Sequence, residues 1–426
     1  MTEDADGSPP PHRGPPRWAQ VVAGALAVVV VAVVVRWVTQ DPVATTYYVS
    51  NAGQDNRSGR TPAEAWATLQ QVQRATLPAG SVVRLARGSS FVGPWDVAAS
   101  GTSDAEITIA SYGEGPLPVV SGAQSCVSVT GSYVTVSEVH VDRCGYAGVE
   151  VRGDDVTVRA VEATGSVAGV VVGTGADRTL VTRNRIADNT KMSVLTREPR
   201  TDDAGAFGVL LNGRNAEVSW NVISGHHAFS YDFGEDGAGV EVFNSTGNRV
   251  DHNQISGGSG VELGGPRSAD NAFSYNLVTS DRPHSVGFVT RGSDDEFGPV
   301  KNTTVANTTI WLTGSSAQGL VCYGGCTKGL LTVRNTVVAA SQAVYVDGPL
   351  VDQNNLFAGT VRGRVTSRVL SVADVGLSDP AAGDFVPTAD SPAIDAGTEV
   401  DQPAAPVDAA GTRVTGPPDI GAFERP

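Results

Sequence analysis

The chain has 426 residues, of which 50 are glycine, 6% are aromatic and 18% are charged, and its formal net charge is −15. The acidic balance argues against a nucleic-acid partner, because phosphates would be repelled and no Lys/Arg run provides a basic face. Abundant glycine favours short strands and turns, and a repetitive fold can use this length as a single domain.

The N-terminal segment has the composition of a membrane anchor. Residues 1–17 are polar and Pro-rich, which predicts a disordered cytoplasmic tail, and residues 21–35 are all apolar or Gly, with Trp18 and Trp37 on either side. A stretch of roughly 20 such residues is enough to span a bilayer. We therefore predict a single transmembrane helix over 18–38 and an extracellular remainder. The alternative is a cleaved signal peptide, for which no convincing cleavage site follows the run.

After the anchor, the pattern predicts a strand, a turn and a short helix. Thr61 followed by Pro62 has the residue types preferred at the N-cap and first position of a helix. A helix placed here can cover the open end of a stack of coils, which a repetitive fold needs for solubility.

Two short phrases then alternate along the chain, with a period of about 22 residues where no insertion intervenes. The first phrase is a small residue followed by apolar–any–apolar, and it begins at Gly148, Gly169, Gly208, Gly239, Gly260, Gly287, Gly319 and Ala343. The second is an asparagine two places before Ile, Val or Leu, at Asn184, Asn221, Asn253, Asn276, Asn335 and Asn354. Three short apolar stretches per repeat predict an all-β fold, a parallel β-helix with three strands per coil.

The asparagines have a structural explanation. The chain must bend between the second and third strands of a coil, and Asn tolerates the left-handed backbone better than other non-Gly residues. Stacked amides can also hydrogen-bond from coil to coil. Asn307 departs from the pattern by standing one place early.

Alignment of the first phrases predicts which side chains share one outer surface. If the apolar residues flanking the middle of each phrase point inward, the middle residue points outward. The outward residues are then Glu150, Val171, Leu210, Glu241, Glu262, Val289, Val321 and Tyr345. The positions two further on include Asn212, Phe243, Arg291 and Tyr323. Two stacked glutamates, Glu241 and Glu262, lie at the middle of this surface.

Insertions at residues 189–206, 225–238 and 280–286 interrupt the period and are expected to wall the same surface. Long loops on a rigid scaffold often carry function. The second insertion supplies His226, His227 and Asp236.

Carboxylates on adjacent strands, about 4.8 Å apart at the backbone, cannot both ionise freely, so one should have a raised pKa. A glycosidase uses such a pair as acid and as nucleophile or base. A lyase or epimerase would use acidic groups to hold Ca²⁺, with Lys or Arg as base, and a binding module would only hydrogen-bond and stack sugars. We predict three catalytic residues, Glu241, Glu262 and Asp236. We predict as substrate-binding residues Asn212, Arg291, His226, His227 and Tyr323. An ordinary solvated glutamate pair is the alternative.

The four cysteines form two natural pairs, Cys126 with Cys144 and Cys322 with Cys326. In an oxidising compartment both pairs would form disulfides. Zinc at Cys322 and Cys326 is the rival interpretation, but no further local thiol or His completes four ligands.

Two segments outside the coils resemble a known family. They are Tyr47-Tyr-Val-Ser-Asn-Ala-Gly-Gln-Asp55 with Trp66-Ala-Thr-Leu69, and Ser391-Pro-Ala-Ile-Asp-Ala-Gly397 with Asp419-Ile-Gly-Ala-Phe-Glu424. They are similar to the ends of extracellular right-handed parallel β-helix proteins of the pectate-lyase-like group, which includes polysaccharide lyases, hydrolases and epimerases. The resemblance implies a right-handed β-helix over 46–426.

The function that this resemblance and the glutamates imply is carbohydrate-active. We expect a monomeric, membrane-anchored extracellular protein with a polysaccharide partner, either a lyase or a glycoside hydrolase. The one cofactor that these residues suggest is Ca²⁺, which the lyase interpretation predicts. The alternative is a non-catalytic cell-surface polysaccharide-binding or scaffold protein, because fold alone does not fix function.

Overall fold

A computed structural model describes residues 44–198, 202–399 and 407–426. The predicted tail over 1–17 and anchor over 18–38 lie outside these residues. Within the described ranges, no helix is long and apolar enough to cross a membrane. The described chain is an all-β parallel helix in which each coil adds one strand to each of three parallel sheets. The sheets enclose one long apolar core that is rich in valine.

The first sheet contains the small–apolar–any–apolar phrases. Its strands are Trp95–Val97, Ser125–Val129, Ala147–Val151, Ala168–Val172, Phe207–Leu211, Ala238–Phe243, Val261–Gly264, Val286–Arg291 and Gln318–Tyr323. It is completed by the C-terminal parts of two long strands, Val337–Val346 and Leu356–Arg362, which arrive from the third sheet.

The second and third sheets complete each coil. The second sheet comprises Thr46–Val49, Val82–Ala86, Ile107–Tyr112, Val134–Ser137, Val156–Arg159, Leu180–Thr182, Glu217–Ser219, Arg249–Asp251, Ala272–Ser274, Thr303–Ala306, Leu331–Arg334 and Val351–Gln353. The third comprises Ser90–Val92, Val119–Ser121, His140–Asp142, Glu162–Thr164, Arg185–Ala187, Val222–Ser224, Gln254–Ser256, Leu277–Ser280, Thr309–Leu312, the starts of Val337–Val346 and Leu356–Arg362, and Arg368–Leu370.

The glycine that opens each phrase is required by the core. A Cβ added at Gly239 would collide with Cγ2 of Ile255, and one added at Gly287 would collide with Cγ2 of Ile310. These isoleucines lie on the third-sheet strand of the same coil. The two sequence phrases therefore recur together because the β-branched side chain of one fills the space that the glycine of the other leaves empty.

The asparagines form the predicted ladder, but the first four do not adopt the left-handed conformation. Amide donors and acceptors join Asn184 to Asn221, Asn221 to Asn253 and Asn253 to Asn276 at 2.9–3.0 Å. Positive φ belongs instead to the preceding residues, Arg183, Trp220, His252 and Tyr275. The reason is that each ladder amide turns inward to a backbone carbonyl, as Asn221 Nδ2 does to Val181 O at 2.9 Å.

Later coils exchange these two roles. Asn307, Asn335 and Asn354 have positive φ, as predicted for the bend, and Asn355 takes the ladder position by accepting the N–H of Thr336. Asn335 and Asn354 therefore stand one place early, like Asn307.

The N-terminal helix begins later than predicted. Pro62–Glu64 is a single 3₁₀ turn, and Thr61 makes no side-chain cap bond. The α-helix spans Leu69–Arg74, with Thr68 accepting the N–H of Gln71. The prediction at Thr61 was wrong because Trp66 bridges the first strand at Val49, which interrupts any helix that starts at Pro62.

In the part of the chain that the structure describes, the remaining elements are three antiparallel hairpins and two 3₁₀ turns. The hairpins are Met192–Val194 with Ala204–Gly205, Ala228–Ser230 with Gly234–Asp236, and Leu377–Asp379 with Asp384–Pro387. The turns are Ala373–Val375 and Pro380–Ala382. Disulfides join Cys126 to Cys144 and Cys322 to Cys326, as predicted.

Candidate active site

The register of the first sheet places the two glutamates on neighbouring coils. Glu241 is opposite Glu262, and the next partners along the ladder are Leu210 on one side and Val289 on the other. The flanking residues of each phrase are in the core, while both glutamates reach the outer surface and are half-buried. Alternation along the strand thus produces the predicted ladder of outward side chains.

Part of that ladder is not exposed. Val171 and Leu210 are buried in a second apolar cluster with Phe207, and Ala204 of the first insertion packs against it. The expectation that these positions form an open surface was wrong, because the insertion folds over them. Glu241 and Glu262, further along the ladder, stay partly exposed.

Asp236 joins the two glutamates from the second insertion. It ends the hairpin strand Gly234–Asp236, and its Oδ1 accepts the N–H of Gly237 at 2.8 Å. Burial raises the pKa of Asp236 to about 7, and the negative charge of Glu262 adds to the rise. We call Asp236, Glu241, Glu262 and Arg291 the carboxyl site.

Protonation within the carboxyl site is unequal. Burial raises the pKa of Glu241 well above its ordinary value, and the charges of Glu262 and Asp236 contribute, while Arg291 acts in the opposite direction. Glu262 carries the ion pair, because its Oε1 accepts a hydrogen bond from a terminal nitrogen of Arg291. The site therefore combines proton-holding carboxyls with one carboxylate that faces a fixed cation.

Arg291 is held between aromatic rings. Its side chain is 12% exposed, and its guanidinium lies 5.2 Å from the ring centre of Phe297 and 5.5 Å from that of Tyr323. Tyr323 is its register partner on the next coil. Such packing fixes the direction of the guanidinium, so the ion pair with Glu262 has one preferred geometry.

Two polar atoms of the carboxyl site are shielded from solvent and have no hydrogen-bond partner within the described ranges. They are Oε2 of Glu241 and Nε of Arg291. A buried polar atom without a partner typically destabilises a fold by about 1–3 kcal/mol. Their presence in one site indicates an arrangement that is not optimised for stability alone.

The structure places the predicted substrate-binding residues in different environments. Tyr323 and Arg291 lie at the carboxyl site, and Asn212 lies on the same face, where its Nδ2 donates to the carbonyl of Phe243 at 3.1 Å. His227 is half-buried near Glu235, and its charge helps to lower the pKa of that glutamate, behind the Arg282 hydrogen bond, which lowers it most.

His226 is not brought to the site. Its side chain is buried beneath the second insertion, and its Nε2 is 3.2 Å from the carbonyl of Ile186. Burial lowers the pKa of His226 to about 4, so the ring is neutral. Its assignment as a substrate-binding residue was wrong, because the start of the insertion turns inward and only its later residues reach the surface.

The two insertion hairpins are cross-linked by aspartates. Asp203 accepts the N–H of Tyr231 at 2.7 Å, and Asp232 accepts the N–H of Asp203 at 3.1 Å. Asp202, Asp203 and Asp232 also offer oxygens within 4.8 Å of one another, as a cation site would. Asp203 and Asp232 already accept backbone N–H groups, and Asp202 accepts the hydroxyl of Thr196. These carboxylates therefore fit a structural cross-link, and calcium remains a prediction.

A family model described as a right handed beta helix region matches residues 125–348, more than half of the chain. The chain belongs to the right-handed β-helix family. No curated protein matches it.

Solved structures share the fold of this right-handed β-helix. Pectate lyase Pel9A is 17% identical, with 91% of this chain and 98% of that chain covered and a TM-score of 0.63. XylC in complex with xylose is 10% identical, with coverage of 89% and 98% and a TM-score of 0.55. An alginate lyase from Paenibacillus sp. str. FPU-7 is 14% identical, with coverage of 75% and 99% and a TM-score of 0.51. At these identities the likeness shows the fold alone.

The sequence patterns of this right-handed β-helix did not reveal two parts of the site's surroundings. Glu235 of the second insertion forms a salt bridge with Arg282 of the third. The ring of Phe297 packs against the guanidinium of Arg291. Both parts lie in insertions between the repeating strands, where no period predicts the direction of a side chain. In the sequence, only the lengths of the insertions indicated that extra structure surrounds the site.

Proposed function

We propose that this right-handed β-helix is a glycoside hydrolase that cleaves a polysaccharide at the carboxyl site. The observation that carries the proposal is the coexistence of Glu241, a buried carboxyl with a raised pKa, and Glu262, a register neighbour paired with Arg291. A general acid must still hold its proton at the working pH, and a second carboxylate must be ionised. Two carboxyls in these two environments meet that requirement.

In the proposed reaction, Glu241 gives its proton to the glycosidic oxygen as the bond to the anomeric carbon breaks. The carboxylate of Glu262 forms an ester with that carbon. Water then attacks the same carbon, returns a proton to Glu241 and releases Glu262. The backbones of adjacent strands are about 4.8 Å apart, which favours this retaining route over an inverting one with carboxyls roughly 6.5–9.5 Å apart.

Asp236 and Arg291 have supporting roles in this proposal. Asp236, with a pKa raised to about 7, can share the proton of the acid. Arg291 keeps Glu262 in place, and the rings of Tyr323 and Phe297 keep Arg291 in place. A positioned charge of this kind stabilises the transition state without rearranging during the reaction.

A lyase is the alternative within the same class, because two of the similar solved structures are a pectate lyase and an alginate lyase. An elimination needs a base beside a neutralised substrate carboxylate. Arg291 is already committed to Glu262, which favours hydrolysis. A non-catalytic polysaccharide-binding or scaffold protein is the second alternative.

We propose an extracellular, monomeric domain held by the apolar segment 18–38. The composition of that segment and the two disulfides support this placement. The helix Leu69–Arg74 is proposed to cover the N-terminal end of the coils, since its Leu69 and Val72 are part of the core.

The test is a polysaccharide panel incubated with the full chain in detergent, alongside Glu262→Gln and Glu150→Gln. Glu150 occupies the same ladder position but pairs with Arg152 and Ser125 away from the carboxyl site. New reducing ends that Glu262→Gln abolishes and Glu150→Gln preserves support the proposal. Unsaturated products detected by ultraviolet absorbance would reassign the site to a lyase, and binding without products would reassign it to a module.

A further inference from the structure

We infer that the carboxyl site accepts a glycan without acidic groups and discriminates against uronate polymers. This inference rests on the proposed function and names its substrate class. It follows from the positive charges that the described residues place around the site.

Arg291 is the cation that acts on the carboxyl site, since it is the guanidinium that lowers the pKa of both Asp236 and Glu241. It is engaged by Glu262 and packed between two rings. Its Nε has no partner, but this atom is shielded from solvent and a substrate carboxylate cannot reach it. A guanidinium recognises a carboxylate best through two parallel donors, which must be accessible to the ligand.

Two other cations near this face are also engaged, and a third is exposed. Arg282 gives two hydrogen bonds to Glu235 at the edge of the insertions. Lys191 donates to the carbonyl of Cys144 at 2.8 Å. Arg267 is exposed after the strand Val261–Gly264, and its charge is not among those that shift the pKa of Asp236 or Glu241.

The carboxyl site has no spare positive charge, because its one guanidinium faces three carboxyl groups and is already engaged by Glu262. A uronate that enters this half-buried site would therefore lose water without gaining an accessible counter-charge at the carboxyl site. Neutral sugar hydroxyls do not carry this penalty. Asn212, Tyr323 and the ring pair Phe243–Phe297, with ring centres 6.4 Å apart, supply the amide, hydroxyl and apolar groups that such sugars use.

The experiment compares polymer pairs that differ only in charge: polygalacturonate, alginate and glucuronoxylan, each beside its own carboxyl-reduced form. The full chain is assayed with chelator and with added calcium, and neutral glucans, mannans, galactans and xylans complete the set. We expect the neutral member to be cleaved at least about tenfold faster, without stimulation by calcium. Faster cleavage of an acidic parent polymer, or a requirement for calcium, would overturn the inference.

Binding gives a readout that does not depend on cleavage. In affinity electrophoresis, Glu262→Gln removes a negative charge and releases Arg291, so its affinity for the acidic parent should rise relative to the reduced polymer. Glu150→Gln makes the same charge change outside the site and should leave this ratio unchanged. If Glu262→Gln leaves the ratio of affinities for the acidic and the reduced polymer unchanged, the charge argument is wrong.

The two proposals fail in different ways. Acidic polymers cleaved by the wild type but not by Glu262→Gln would leave the enzyme proposal standing and overturn the substrate class. A preference for neutral polymers in binding, without any products, would overturn catalysis and retain the preference of the site.

Discussion

The carboxyl site and the C-terminal segment each contain a cluster of acidic side chains, and each cluster has one group whose pKa is raised to about 7. These groups are Asp236 in the carboxyl site and Glu424 in the C-terminal segment. Burial is the main cause in both, and neighbouring carboxylates add to it. The pKa values alone do not distinguish the two clusters.

Hydrogen bonds do distinguish them. In the C-terminal cluster, Asp408 accepts the N–H groups of Ala410, Thr412 and Glu424, and Glu424 accepts the N–H of Asp419. In the carboxyl site, Oε2 of Glu241 is shielded and unpartnered. A carboxyl group whose pKa is raised but whose hydrogen bonds are satisfied has a structural role. A raised pKa beside unsatisfied atoms marks a candidate site.

The largest effect is expected from Glu241→Gln. Loss of a general acid should reduce kcat on natural glycans by about 10²–10⁴-fold. The thermal midpoint should not fall, because Gln resembles the protonated Glu241 that burial favours. Aryl glycosides whose leaving groups need no protonation should recover much of the rate. Equal losses on both substrate types would show that Glu241 is not the acid.

Asp408→Ala should have the opposite profile. Three backbone N–H groups lose their acceptor in a buried environment, which should lower the free energy of unfolding by about 3 kcal/mol. Below the unfolding transition, kcat should remain that of the wild type. Urea denaturation followed by circular dichroism measures the first quantity and a glycan assay the second. A large drop in kcat with an unchanged urea midpoint would break the distinction between the clusters.

The pH dependence of stability should be shared by both clusters. The pKa values of Asp236 and Glu424 are raised above those of the unfolded chain, so their stabilising contribution is complete below about pH 4 and is lost as the pH rises to about 7. Asp236→Asn and Glu424→Gln should each flatten this decline in urea midpoints measured from pH 5 to pH 8. Only Asp236→Asn should also change the pH profile of kcat, and an equal change with Glu424→Gln would remove the contrast.

The sequence predicts the scaffold better than the site because the scaffold is periodic. Strand alternation places Glu241 and Glu262 outward, and the glycines of the first phrase are matched to β-branched side chains of the second, such as Ile255 and Ile310. In four coils the bend was predicted one residue too late, since the positive φ and the ladder amide belong to two adjacent residues. His226 could not be placed, because the direction of a loop side chain depends on how the insertion folds. The same holds for Glu235 and Arg282, which meet across 47 positions of sequence.

The smallest effect is expected from Glu235→Gln. This variant tests whether the contribution of an ion pair depends on its exposure to solvent as well as on its charge. Its ion pair with Arg282 has side chains 36% and 30% exposed, whereas Glu262 and Arg291 are 26% and 12% exposed. Water competes for a half-exposed pair, and salt screens it, so the loss in unfolding free energy should be below about 1 kcal/mol and vanish at high salt. Urea midpoints of the wild type and variant at low and high ionic strength measure this difference. A large loss of unfolding free energy that salt does not change would give Glu235 a structural role like that of the C-terminal cluster, since only contacts shielded from solvent escape screening.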